Sequence, residues 1–158
     1  MPSLPDPLHP AVVHLPIALA VLVPLLAILA ILAIRWSFLP PCRWASVVLL
    51  QALLLGSAWF ALETGEEEED RVERVVAERH IERHEEAAER FLEFEGVGWL
   101  AAAARLPTDR GGAIGRLAGA GAFLVVFGAV VPLGHSGGAL VYEHGAANAY
   151  LDRAATRR

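Results

Sequence analysis

An all-α integral membrane four-helix bundle, with its third helix extended beyond the bilayer as an acidic amphipathic helix, is the fold class that this sequence predicts. Three observations predict it. The chain of 158 residues is 55% hydrophobic, and that content lies in long apolar blocks rather than spread evenly, as in a membrane protein. The remaining polarity is concentrated in one charged block, because residues 63–95 hold 14 of the 18 acidic side chains and 5 of the 13 basic ones. All six histidines sit at the ends of apolar segments.

Length makes the chain a single domain, residues 1–158. Cys42 is the only cysteine, so no internal disulfide forms. Residues 1–10 lack a basic leader region, and the first apolar run is too long for a signal peptide, so it reads as a retained helix.

The first span covers about residues 11–34, of which none is charged. At 1.5 Å per residue it crosses a hydrocarbon core of about 30 Å. Pro10 occupies a tolerated first-turn position, while Pro16 and Pro24 are expected to kink the helix. Arg35 and Trp36 end it at an interface. The second span, about 44–63, is uncharged up to Glu63 and carries Gln51 within it, and Gly65 is expected to stop it. Thr64 and Glu67 have capping-box spacing, so a new helix is expected from about 66 to 90. In that helix Ala77, His80, Ile81, His84, Ala88 and Phe91 form an apolar stripe. It continues into a third span, about 87–106, interrupted by Glu93 and Glu95. Intramembrane carboxylates point to proton handling, but their place near the outer boundary favours snorkelling to water. The fourth span is about 114–134, where Gly115 and Gly119 permit close helix approach. Residues 135–158 form a tail, of which Ala139 to Tyr150 is expected to pack on the acidic helix, with Arg153, Arg157 and Arg158 offsetting its charge.

Counting about 20 residues from the loops at 35–43 and 105–116 brings His14, Thr64, His84 and His135 to one depth. His9, His80 and His144 lie just beyond, on the same side. The two short loops hold 5 arginines, which favours loops inside the cell and the termini and histidine face outside the cytoplasm of an inner (plasma) membrane.

Neutral imidazole ligates transition metals and haem iron. A b-type haem needs two histidines on facing helices at similar depth, and His14, His84 and His135 are the candidates for cofactor binding. His80, His84 and His144 are the alternative set for a transition metal ion. The H-E-x-x-H zinc motif and the Glu-x-x-His di-iron motif are both absent. Gly134-His135-Ser136-Gly137-Gly138 matches G-x-S-x-G literally. A nucleophile elbow follows a strand, however, and a small-residue helix exit is the better reading of Ser136.

His9-Pro10-x-x-Val13-His14-x-Pro16-Ile17-Ala18-Leu19 at the front and Gly137-Gly138-x-Leu140-Val141-Tyr142-x-His144-Gly145 at the back resemble a bacterial family of small four-span membrane proteins known as a domain of unknown function. Thr64-Gly65 and His84-Glu85 also fit its pattern. Leu15, Ala146, Glu93 and Glu95 depart from it. The resemblance implies a membrane bundle with its motifs on one face. Some relatives are joined to or encoded near redox proteins.

The functional expectation is a redox or electron-transfer membrane subunit binding haem b or a transition metal, with the lipid bilayer and a redox protein as partners. A cofactor-free structural or assembly protein, homodimeric through the acidic helix, is the alternative. An intramembrane serine hydrolase is the third reading. No catalytic residue is assigned, and nucleic acid is not an expected partner.

Overall fold

The computed structural model describes residues 6–104 and 112–151. The chain forms a short helix α1 (His9–Val12) and four long ones: α2 (His14–Arg35), α3 (Trp44–Val72), α4 (Glu78–Ala103) and α5 (Gly112–Tyr142). Single 3-10 turns follow α2 at Pro41–Arg43 and α5 at Ala146–Tyr150. No strand occurs among the described residues. The long helices pack in chain order, α2 on α3, α3 on α4 and α4 on α5, and α5 returns to α2. Three segments, His9–Arg35, Pro41–Val72 and Gly115–Tyr142, are long and apolar enough to cross a membrane. Their outer faces carry Leu22, Leu25 and Leu29 on α2, Leu49 and Phe60 on α3, and Leu124, Val125 and Val131 on α5. Such a surface suits lipid rather than water, and the protein is a membrane protein.

Local chemistry explains where the helices begin and end. The break between α1 and α2 falls at Val13. Pro16 has no N–H with which to continue the ladder through that turn. Pro24 is accommodated inside α2. At the far end of α2, Ser37 adopts a left-handed backbone (φ 62°), and the Phe38 and Leu39 amides both donate to the Ala33 carbonyl. This closes the helix as a terminal left-handed residue does.

Two expected boundaries are displaced. The second helix does not stop at Thr64-Gly65. It runs on to Val72, because Thr64 donates its hydroxyl to the Ala61 carbonyl one turn back rather than capping a new helix. The chain turns instead at residues 73–77. The acidic block is therefore a helical hairpin, the last turns of α3 against the first turns of α4, in place of one helix over 66–90. The last long helix likewise passes through Gly134–Gly138 to Tyr142. Its exit comes at Gly145, where φ is 74°, a conformation that favours glycine. His135 and Ser136 are thus helical residues and not the start of a tail.

The core repeats itself. On α2 the buried residues include Pro16, Ala20, Val23 and Ala27, and on α4 they are Phe91, Glu95, Gly98 and Ala102. Each is 75 positions after its counterpart (91 − 16 = 75, 102 − 27 = 75). Val47, Val48, Gln51 and Leu54 are buried on α3, and Gly119, Ala120, Phe123 and Val126 on α5, all 72 positions later (119 − 47 = 72, 126 − 54 = 72). The chain is built as two helical hairpins, α1 to α3 and α4 to α5, with matching buried stripes at helical spacing. At the end bearing the short loops the hairpins meet through Trp44, whose ring stacks on Phe123 at 6.3 Å between centroids. The Trp44 indole also donates to the Ala102 carbonyl at 3.4 Å.

Candidate functional site

The opposite end of the helices gathers four of the six histidines, and the repeat organises two of them. His9 opens α1. Its Nδ1 lies 2.8 Å from the Ala61 carbonyl oxygen and 3.4 Å from Thr64 Oγ1. The Thr64 hydroxyl donates to that same carbonyl at 2.9 Å. Both neighbours therefore present lone pairs to Nδ1, and Nδ1 carries the proton. A Cβ placed on Gly65 would stand 3.2 Å from His9 Cε1, so the absent side chain is what admits the ring.

The second hairpin repeats this cradle. Ser136 donates its hydroxyl to the Leu133 carbonyl at 2.9 Å and stands 2.9 Å from His84 Nδ1. Its proton is already committed, so it accepts from Nδ1–H. The ring rests on Gly137, whose Cβ would stand 3.0 Å from His84 Cε1. Thr64-Gly65 and Ser136-Gly137 are again 72 positions apart (136 − 64 = 72). His9 and His84 are 75 apart (84 − 9 = 75).

The two imidazoles lie 6.5 Å apart between centroids, edge to face at 84°. Each is fixed through Nδ1, and neither Nε2 has a hydrogen-bond partner among the described residues. Burial holds His84 below its ordinary value of 6.5, neighbouring His9 adds to this, and the Leu133 carbonyl opposes it. His84 is thus kept neutral, the form in which imidazole donates a lone pair.

A second pair stands at the rim. His80 of α4 and His144, beyond α5, stack with centroids 3.7 Å apart and planes inclined by 24°. Desolvation, then His144, Arg79 and Arg83, lowers the pKa of His80. The stack brings His144, two residues beyond α5, against α4. The following turn, Ala146–Tyr150, meets α3 through Glu68. One Glu68 carboxylate oxygen accepts from the Leu8 and His9 amides at 2.7 and 3.2 Å, and the other accepts from the Tyr150 hydroxyl at 2.6 Å. Arg71 pairs with Asp6 at 2.9 Å and lies 5.2 Å from the centre of the Tyr150 ring. Arg153, Arg157 and Arg158 lie outside the described residues.

Of the set expected from the sequence, only His84 enters the site. His14 and His135 are both exposed, and neither joins the His9–His84 pair. Depth is set by residue count, but the face of a helix is set by 100° per residue. His14 follows His9 by five residues and so points away, and His135 is one residue off the Ser136 face. In the alternative set His80 and His144 are together, but His84 instead faces His9 and Ser136. No group of three or more histidine, cysteine, aspartate or glutamate side chains is placed to hold a metal ion among the described residues.

The two carboxylates expected to snorkel are separated by the turn of α4: Glu93 is exposed, whereas Glu95 is wholly buried and so does not reach out to water. His9 was placed beyond the layer by residue count alone. Its recurring spacing to a hydroxyl–glycine pair, shared with His84, is the signal that marks it.

The paired imidazoles suit a group that takes two nitrogen donors. Nδ1–H fixed by a carbonyl and a hydroxyl, with Nε2 open, is the arrangement that orients histidine ligands to metals. Acyl transfer is less well served. Ser136 sits within α5, where helical hydrogen bonding engages the backbone amides, so no pair of free N–H groups forms an oxyanion hole. No family model matches the chain, and neither the curated proteins nor the solved structures contain a significant match.

Proposed function

We propose that the protein is a redox or electron-transfer membrane subunit that holds a b-type haem or a single transition metal ion at its histidine end, with Nε2 of His9 and of His84 as ligands. The observation that carries this reading is the duplicated cradle. Each of the two hairpins uses a hydroxyl, a carbonyl and a glycine to fix one imidazole by Nδ1 and leave Nε2 open. Packing alone asks only that the rings fit. It does not require the same tautomer and the same open nitrogen twice. When bound, iron or copper would supply one-electron chemistry. The protein's part is to set ligand orientation and to limit access of water. His80 and His144 form the rim beside the site, and the acidic hairpin offers a charged face to a redox partner protein.

In this reading α4 is the fourth crossing. Its second half presents Phe94, Val97 and Leu100 outward, a continuation of the apolar belt of the other three helices. The loops at 35–43 and 105–116 face the cytoplasm, and the histidine end faces away from it, across an inner membrane.

The test is the absorption spectrum and metal content of protein purified from haem- and metal-replete cells. The expected result is a Soret band that shifts on dithionite reduction, or about one equivalent of metal, either of them lost in His9→Ala and His84→Ala and kept in His14→Ala and His135→Ala. A colourless, metal-free preparation would overturn the proposal in favour of a cofactor-free structural protein, whose homodimerisation through the acidic hairpin would then show in its solution mass.

A further inference from the structure

Five buried side-chain nitrogen and oxygen atoms lack a hydrogen-bond partner among the described residues, and all five belong to three residues: Gln51, Glu95 and Trp99. Glu95 and Gln51 are fully buried, at 0% exposure. The three are neighbours by register. Glu95 and Trp99 are one turn apart on α4. The Gln51 amide nitrogen, from α3, lies 3.8 Å from where a Cβ of the intervening Gly98 would stand. No ion pair reaches Glu95 among the described residues.

The repeat makes this cluster informative. The position matching Glu95 in the first hairpin is Ala20, and the one matching Gln51 in the second is Phe123. Both counterparts are buried and apolar, so the fold does not need polarity at either place. A carboxylate taken out of water without a counter-charge costs several kcal/mol. That cost falls away when the group takes up a proton, and an ionisable residue inside a membrane protein marks a functional site.

We infer that Glu95 is an internal proton-binding site, with Gln51 and Trp99 as the hydrogen-bonding groups that receive its carboxyl form. The proton comes from water, forms an O–H bond on one Glu95 oxygen, and returns to water when that bond breaks. Gln51 and Trp99 are the other unpaired buried polar groups beside Glu95, and side-chain rotation would let the carboxyl O–H donate to the Gln51 carbonyl oxygen and the second carboxyl oxygen accept from the Gln51 amide or the Trp99 indole. Glu95 lies on the stripe of His84, 11 residues and about 16 Å further along α4 (1.5 Å per residue). Phe91, 2% exposed, stands between them. The site is therefore separate from the imidazole pair, and it holds whether or not that pair binds a cofactor.

Infrared spectroscopy of the full chain in lipid nanodiscs at neutral pH tests this. The expected result is a carbonyl stretch of a protonated carboxylic acid that shifts when H2O is replaced by D2O. It should be lost in Glu95→Gln, kept in Glu93→Gln, and displaced in frequency in Gln51→Leu. The wild-type spectrum decides even if a variant fails to fold, because absence of any protonated carboxyl band overturns the inference. A band that survives Glu95→Gln, or one that never exchanges in D2O, overturns it as well.

Discussion

The first hairpin, α1 to α3, and the second, α4 to α5, bury the same stripe of positions and fix the same kind of imidazole, yet differ in what surrounds it. In the first, the ring belongs to a four-residue helix, His9–Val12. That helix is held in place by Glu68, which caps its N-terminal amides, and by the Arg71–Asp6 pair. In the second, the ring belongs to a 26-residue helix and needs no such clamp. Position of the ring is thus a property of packing in one hairpin and of a carboxylate cap in the other. The difference teaches that the two imidazoles, alike in geometry, are unlike in rigidity, and that the first hairpin is the one whose site can be released.

The largest effect is expected from Glu68→Ala. It removes one charged acceptor from three donors, each such bond contributing about 1.5–3 kcal/mol where it is shielded. Because Glu68 is only partly buried, a total of about 2 kcal/mol is expected. Thermal unfolding in detergent would give that figure. Faster hydrogen exchange at the amides of residues 8–13, with α4 unchanged, would show that only the first hairpin loosens.

Gly137→Ala and Gly65→Ala come next. The added methyl would meet His84 at 3.0 Å and His9 at 3.2 Å. Overpacking of this kind costs about 1–3 kcal/mol. The second hairpin should lose more, because His84 cannot retreat while the short helix carrying His9 can. Gly119→Ala serves as the control, since its methyl would meet Trp44 at 3.3 Å at the opposite end. It should lower the melting temperature without altering the imidazole NMR signals. Ser136→Ala and Thr64→Ala are smaller, about 1 kcal/mol each for one hydrogen bond, and should match one another if the cradles are equivalent.

The smallest effect is on pH dependence. With its pKa in the folded state below 6.5, His84 binds its proton more readily when unfolded. Unfolding then takes up protons as pH falls past 6.5, so stability rises with pH through this range and is lost below it. The melting temperature should therefore drop on acidification below pH 6.5. His84→Gln should flatten that drop.

Much of this was legible in the sequence. Uncharged runs such as residues 11–34 fix helices by hydropathy alone, and the histidines do collect at one end. Three things were not legible, and each depends on a partner distant in sequence. Thr64-Gly65 reads as a helix stop, yet the glycine is there to admit His9, 56 residues earlier (65 − 9 = 56). Residue counting places His14 and His135 by depth alone, and depth does not give the face. Glu95 looked like its neighbour Glu93 until the turn of α4 separated a buried position from an exposed one. The repeat was present throughout as a histidine followed 52–55 residues later by a hydroxyl and a glycine (64 − 9 = 55, 136 − 84 = 52), a pattern too weak to notice without the packing.

The most direct test of the central claim is ligand stoichiometry across a double-mutant cycle at His9 and His84, read by haem absorbance and metal analysis on the same samples. A single group shared by both hairpins predicts about one equivalent in the wild type, at least a tenfold loss in each single variant, and no further loss in the double variant. Full retention in either single variant, or loss in His14→Ala or His135→Ala instead, would contradict the account.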